Sequence, residues 1–248
     1  PTTPILFRRQ RQMCIRDSHW LATGDRTFLA DYWDVVEPAI EFVLDLQTKR
    51  GEIIWARHQD GKPWSYALLT GSSSISHSLR CASWIADELG KDRPHWVEGR
   101  ERLISVIANQ PNAFEPKARW AMDWYYPVLT GAVVGDDASK MLAKAWDTFV
   151  MPGKGVRCVS DRPWVTAAET CECALAHLAV GDRSTAVSLL SWIQGMRDRD
   201  GSYFTGKVFP ELVYYPDNER TAYTAAAVVL LADALHGRNP TAGIFISH

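Results

Sequence analysis

Asp123, in the run AMDWYYP at 121–127, and Glu169, in TAAETCE at 166–172, each open an apolar helical pattern beside aromatic residues. Two carboxyl groups about 5–9 Å apart across a substrate, one kept protonated by its surroundings, are what cleavage of a glycosidic bond requires. The same pair could supply acid and base to another reaction. Each could equally be a first-turn acid that caps backbone amides and faces the helix dipole. His77 stands about one turn beyond Ser72 and Ser73, either of which is expected to cap its helix. A histidine there suits acid or base work, or simply a hydrogen-bonded structural place. Trp64, Trp124, Tyr125, Trp164 and Tyr203 fall in or beside irregular segments that lead into helices. Their faces could hold a cation or a sugar ring, and packing between helices is the other use. Asp161 joins them as a substrate-binding candidate, whereas Trp20, Trp33, Trp84, Trp146 and Trp192 are expected in the core. No G-x-S-x-G elbow, P-loop or G-x-G-x-x-G is present, so a hydrolase triad and nucleotide binding lack support.

These residues need a folded frame, and the composition supplies one. The chain has 248 residues, 46% hydrophobic and 23% charged, with a formal net charge of −2. That is enough for one domain with a substantial core and excludes overall disorder. It gives no electrostatic footprint for nucleic acid, and no apolar run reaches the ~20 residues of a membrane helix. The expected partner is a small-molecule substrate. Five cysteines form no C-x-x-C pair or disulfide framework, which fits a reducing, cytoplasmic setting. Residues 1–18 carry Arg8, Arg9, Arg11 and Arg16 with no helical or strand period. They read as an artefactual leader, leaving 19–248 as a single domain.

Gly24, Gly90, Gly135, Gly181 and Gly237, each followed by a polar residue, close apolar segments at intervals of roughly 50 residues. Within each interval an amphipathic helix comes first, at Arg26–Leu46, His95–Asn109, Ser139–Val150 and Arg183–Met196. An irregular segment follows, and then a second, more apolar helix at Ser74–Leu89, Trp120–Val134, Ala167–Val180 and Thr221–Leu235. Helices apolar nearly all round are buried. Val208–Tyr215 has the best strand pattern and reads as loop. The fold class is therefore all-α: helical hairpins in an α/α toroid, incomplete at about four of six hairpins and truncated at its N-terminus.

The segment WIQGMRDRDGSYF at 192–204, followed by ERTAYTAA at 219–226, resembles the repeat of the terpenoid cyclase and protein prenyltransferase toroid family. Phe42–Trp55 is a looser copy, and the runs at 71–82, 121–131 and 155–172 look like bacterial prenyltransferase-like proteins of this fold. The resemblance implies a transferase or cyclase acting on a small, largely apolar substrate in a central aromatic cavity. It also implies a zinc site, for which Glu169-Thr170-Cys171 offers two ligands and 221–226 offers no histidine as the third; the cofactor is thus undetermined. An Asp-x-Asp-Asp run is missing, since Asp136-Asp137 stands alone. HWLATGDRTFLADYWDVVEPAIEF, at 19–42, is similar to hairpins of the six-hairpin glycosidases. That alternative would use Asp123 and Glu169 as its acid–base pair. A non-catalytic toroid binding a ligand in the same cavity is the third reading.

Overall fold

The structure is a computed structural model, which describes residues 19–246. The expected leader, 1–18, lies outside the described residues. Helices dominate, and they form two compact units, one reaching to Pro116 and the other starting at Lys117.

In the first unit residues 19–23 are helical, followed by α1 (Arg26–Asp31), α2 (Trp33–Leu44), α3 (Leu69–Leu89) and α4 (Pro94–Asn109). The single helix expected over Arg26–Leu46 is broken at Tyr32, whose backbone leaves the helical region. α2 buries Trp33, Val36, Ala39, Ile40 and Val43, the one-sided stripe its periodicity demands. α3 begins five residues before the expected Ser74. Ser72 and Ser73 are therefore buried inside it rather than capping it, and His77 is buried deeper along the helix than one turn. Gly90 ends α3 in the left-handed conformation that a residue with a Cβ resists. α4 then packs back on α3.

The second unit holds α5 (Met122–Leu129), α6 (Gly135–Lys144), α7 (Trp146–Phe149), α8 (Ala167–Ala179), α9 (Arg183–Trp192) and α10 (Ala222–His236). α5 is shorter than the expected Trp120–Val134. α8 packs against α5, α9 and α10, and its alanines, its two cysteines and Thr170 let these neighbours approach closely. Cys171 and Cys173 are fully buried there as small hydrophobes. Strands β1 (Val150–Met151) and β2 (Gly155–Val156) form an antiparallel pair. Strand β3 (Trp164–Thr166) pairs with β4 (Gly206–Val208), which pairs with β5 (Val213–Tyr214), all antiparallel. The loop expected over Val208–Tyr215 is thus a hairpin edge, because Trp164–Thr166, more than forty residues earlier, supplies its partner. One face of α10 is open where full burial was expected: Ala222, Ala225 and Ala226 are exposed and Val229 is 66% exposed. Each unit is mainly α and built of packed helical hairpins, in keeping with the expected fold class.

Candidate active site

The irregular segments of the second unit bring the starts of three helices to one end. Ala121, just before α5, donates its N–H to the Cys158 carbonyl at 3.1 Å, and Trp120 bridges Val159. The Cys158 thiol lies beside Glu169 in the first turn of α8, and burial and the charge of Glu169 raise it. Ala167 donates its N–H to the Thr205 carbonyl, and Thr205 donates its own to Glu219, shortly before α10. α5 and α8 consequently begin side by side, with Asp123 and Glu169 each in a first turn and each half-buried. Neither α5 nor α8 shows a side-chain cap at its N-cap residue. Glu169 accepts a hydrogen bond from the hydroxyl of Thr166, the N-cap residue of α8, at the Thr-x-x-Glu spacing of a capping box.

One helical turn below Glu169 lies Glu172, only 8% exposed. Residues three apart share a helix face, so the two carboxyls stand one above the other. Three tyrosine hydroxyls converge on Glu172. Tyr125 donates to Oε2 at 2.8 Å, Tyr126 to Oε1 at 3.1 Å, and Tyr223 of α10 also to Oε1. Burial raises the Glu172 carboxyl, the charge of Glu169 adds to this, and the three hydroxyls oppose it; the result is about 7. Burial likewise raises the hydroxyls of Tyr125, Tyr126 and Tyr223, which remain donors. A buried carboxyl that keeps its proton near neutrality, one helical turn from a second carboxyl, is an arrangement that clusters at functional sites.

Around this centre the expected site residues divide. Tyr125 belongs to it as a ligand of Glu172. Trp164 stands two residues before Thr166, edge-on to Tyr215 with ring centroids 5.3 Å apart. Its indole nitrogen is buried against Gly206, where a Cβ would come within 2.4 Å. Trp124 turns to packing: its indole N–H donates to the Met141 and Leu142 carbonyls, and its ring stacks on Phe149. Tyr203 is spent in a turn, donating its hydroxyl to Gln194 at 2.9 Å. Asp161 is an exposed partner of Arg119, whose guanidinium holds its carboxyl below the usual range. Trp64 and His77 belong to the first unit. Trp64 stacks on His58, and His77 meets the Arg80 guanidinium at Nδ1, 3.2 Å away. Sequence reasoning missed Glu172, Tyr126, Tyr223 and Trp120, the last 42% exposed at the start of α5. The Glu-x-x-Glu spacing and the Tyr125-Tyr126 pair were the available signals.

The zinc expectation was tested on the donors themselves. Among the described residues no group of three histidine, cysteine, aspartate or glutamate side chains could hold a metal ion. Burial pushes the Cys171 thiol far up, which keeps it protonated and a poor ligand. The residues present do not fit the metal.

The chain is 49% identical over 227 residues to the MMP endo-(1,4)-3-O-methyl-alpha-D-mannosidase of Mycolicibacterium hassiacum, a match covering 92% of this chain and 63% of that protein. The chain thus spans less than two thirds of the curated relative's length. No family model matches it. Among solved structures, a glycosidase in complex with glucose superposes with a TM-score of 0.63 at 16% identity, over 89% of this chain and 66% of that one. The GH76A alpha-1,6-mannanase of a Salegentibacter species gives 0.59 at 13% identity, over 82% and 64%. A possible GH105 member from Klebsiella pneumoniae gives 0.57 at 14% identity, over 91% and 70%. At these identities the structures speak for the fold alone.

These findings correct the prenyltransferase and terpenoid cyclase resemblance: the similar proteins are glycosidases, of the six-hairpin architecture. The motif behind that resemblance serves the turn of a helical hairpin. In 192–204 the Asp200 carboxylate accepts from the Ser202 N–H at 2.9 Å and its hydroxyl at 2.6 Å, Gln194 holds Tyr203, and Arg220 pairs with Asp198 at 2.6 Å. The looser copy works alike, with the Gln47 amide donating to the Gly51 carbonyl at 2.8 Å. Any fold of stacked αα-hairpins has a use for such a turn.

Proposed function

We propose that the chain carries the catalytic carboxylates of an endo-acting glycoside hydrolase that cleaves α-mannosidic linkages. The observation that carries this reading is the shared end of α5 and α8, where Cys158 links the helix starts bearing Asp123 and Glu169 and the buried Glu172–tyrosine cluster lies beneath. Glu169, the more exposed of the two glutamates, takes the role of the acid that protonates the glycosidic oxygen as the bond to the anomeric carbon breaks. Asp123 receives the other role, as base for the attacking water or as nucleophile. Glu172, sealed by Tyr125, Tyr126 and Tyr223, is a positioning residue that sets the charge under Glu169. Trp120 and Trp164 supply faces for sugar rings.

The substrate to try first is the linkage named for the curated relative, an α-(1,4)-linked oligosaccharide of 3-O-methyl-mannose. Incubation with the protein should give shorter oligosaccharides with new reducing ends by mass spectrometry. Glu169→Gln should slow their release by about 10²–10⁴-fold, the usual value of a positioned proton donor. An uncut substrate, or undiminished cleavage by that variant, would overturn the assignment.

A further inference from the structure

The sheet β3–β4–β5 runs directly into α8 and its Glu169. In an antiparallel ladder, residues directly opposite each other, and residues two apart along a strand, project to the same side. The register sets Trp164 opposite Val208, Val208 opposite Val213, and Thr166 opposite Gly206. Tyr215 continues the ladder, its N–H donating to the Gly206 carbonyl at 3.0 Å. Trp164, Thr166, Gly206, Val208, Val213 and Tyr215 therefore occupy one side of the sheet, and Lys207 and Tyr214 the other. Thr166 donates its hydroxyl to Glu169, so this side adjoins the carboxyl assigned as the acid.

Gly206 shows how the face is shaped. Its backbone is not in the left-handed region, so no turn demands a glycine there. A Cβ would instead stand 2.4 Å from Trp164 Nε1 and 3.1 Å from Thr166 Cγ2. The absent side chain lets the indole lie across β4 and meet Tyr215, with ring centroids 5.3 Å apart and planes at 89°. The two rings form a right-angled apolar corner. Tyr215 is 54% exposed and Val213 is 58% exposed, so the corner is open to a ligand.

No charged or amide side chain projects from these six positions. A sugar hydroxyl pressed against the ring faces gives up its hydrogen bond to water and finds no replacement there. A methyl ether has no donor to lose and gains from burial. We propose that the Trp164–Tyr215 corner is a subsite that selects O-methylated over unmethylated mannose units. The inference rests on the glycoside hydrolase reading for the kind of ligand and adds which surface reads its methyl groups.

The test uses the full chain carrying Glu169→Gln and two tetrasaccharides of α-(1,4)-linked mannose, one 3-O-methylated and one not. The Trp164 indole N–H, assigned through Trp164→Phe, is followed in nitrogen–proton correlation spectra. The methylated ligand should shift this signal saturably and bind at least about fourfold more tightly, the value of one buried methyl group. Tyr215→Ala, at a position already half open to water, should bring the two affinities within about twofold by weakening the methylated ligand alone. The proposal is overturned if the methylated ligand leaves the Trp164 signal in place, if both ligands bind equally well, or if the preference survives Tyr215→Ala. A shift of the signal with protein concentration alone, the mark of a second copy on this face, would overturn it too. Cleavage is scored separately with the unsubstituted protein. A ligand bound with methyl preference but left uncut counts against the hydrolase reading and supports the subsite, whereas one cut without preference counts against the subsite alone.

Discussion

Glu172→Gln separates a titrating buried carboxyl from a merely hydrogen-bonded one. In an unfolded chain a glutamate ionises near 4.5, and in the fold burial and Glu169 move Glu172 to about 7. The native state therefore binds its proton more tightly than the unfolded state does. Stability from this group is complete below pH 4.5 and falls as pH rises toward 7. The gap between the two values corresponds to about 3 kcal/mol, at 1.36 kcal/mol per pH unit. Glutamine has nearly the same shape, still accepts from the tyrosines through Oε1, and never ionises. Subtracting wild type from variant cancels other titrations, including that of His177, whose lowered value makes stability rise with pH over part of the same range. Urea unfolding of both proteins between pH 5 and pH 8 should show the difference moving about 2–3 kcal/mol in favour of the variant. A difference that stays flat across this range would refute the reasoning, because it would mean that Glu172 carries no displaced proton.

Three further substitutions probe the same region. Tyr223→Phe removes one of the donors to the Glu172 carboxylate. It should cost about 1.5–3 kcal/mol above pH 7, and less below pH 5, by the same unfolding assay. Gly155→Ala places a Cβ 2.7 Å from both Thr170 Oγ1 and Val165 Cγ1 at a φ of +131°, and should destabilise by about 2–3 kcal/mol in thermal or urea unfolding. Asp123→Asn should lower oligosaccharide cleavage by at least about 10²-fold with little change in unfolding midpoint.

The helices were legible where local chemistry decides them. Ala167–Ala179 and Arg183–Trp192 lie almost where apolar periodicity and the intervening Gly181 put them. Trp120–Val134 was overdrawn: α5 ends at Leu129, and the Thr130 hydroxyl turns back to the Tyr126 carbonyl. The segment holding strand Val213–Tyr214 has the best strand pattern yet reads as loop, because its sheet needs Trp164–Thr166, a pairing that no local window contains. Glu172 was missed for the same kind of reason. Its partners are tyrosines on α5 and α10, about fifty residues away on either side, and burial among such distant elements is what raises its proton affinity. Asp123 and Glu169 could be singled out because the first turn of a buried helix is a local feature. The prenyltransferase resemblance misled because its strongest motif encodes a hairpin turn, which carries fold and leaves chemistry open.

The central claim is that the Glu169 side chain meets the bond to be cut. A crystal structure of Glu169→Gln with an uncleaved mannose oligosaccharide tests it without relying on rates. The account predicts a glycosidic oxygen within about 3 Å of the residue 169 amide, with Asp123 on the opposite side of the sugar. An oligosaccharide bound elsewhere on the protein, with residue 169 still closed on Thr166 and Cys158, would contradict it.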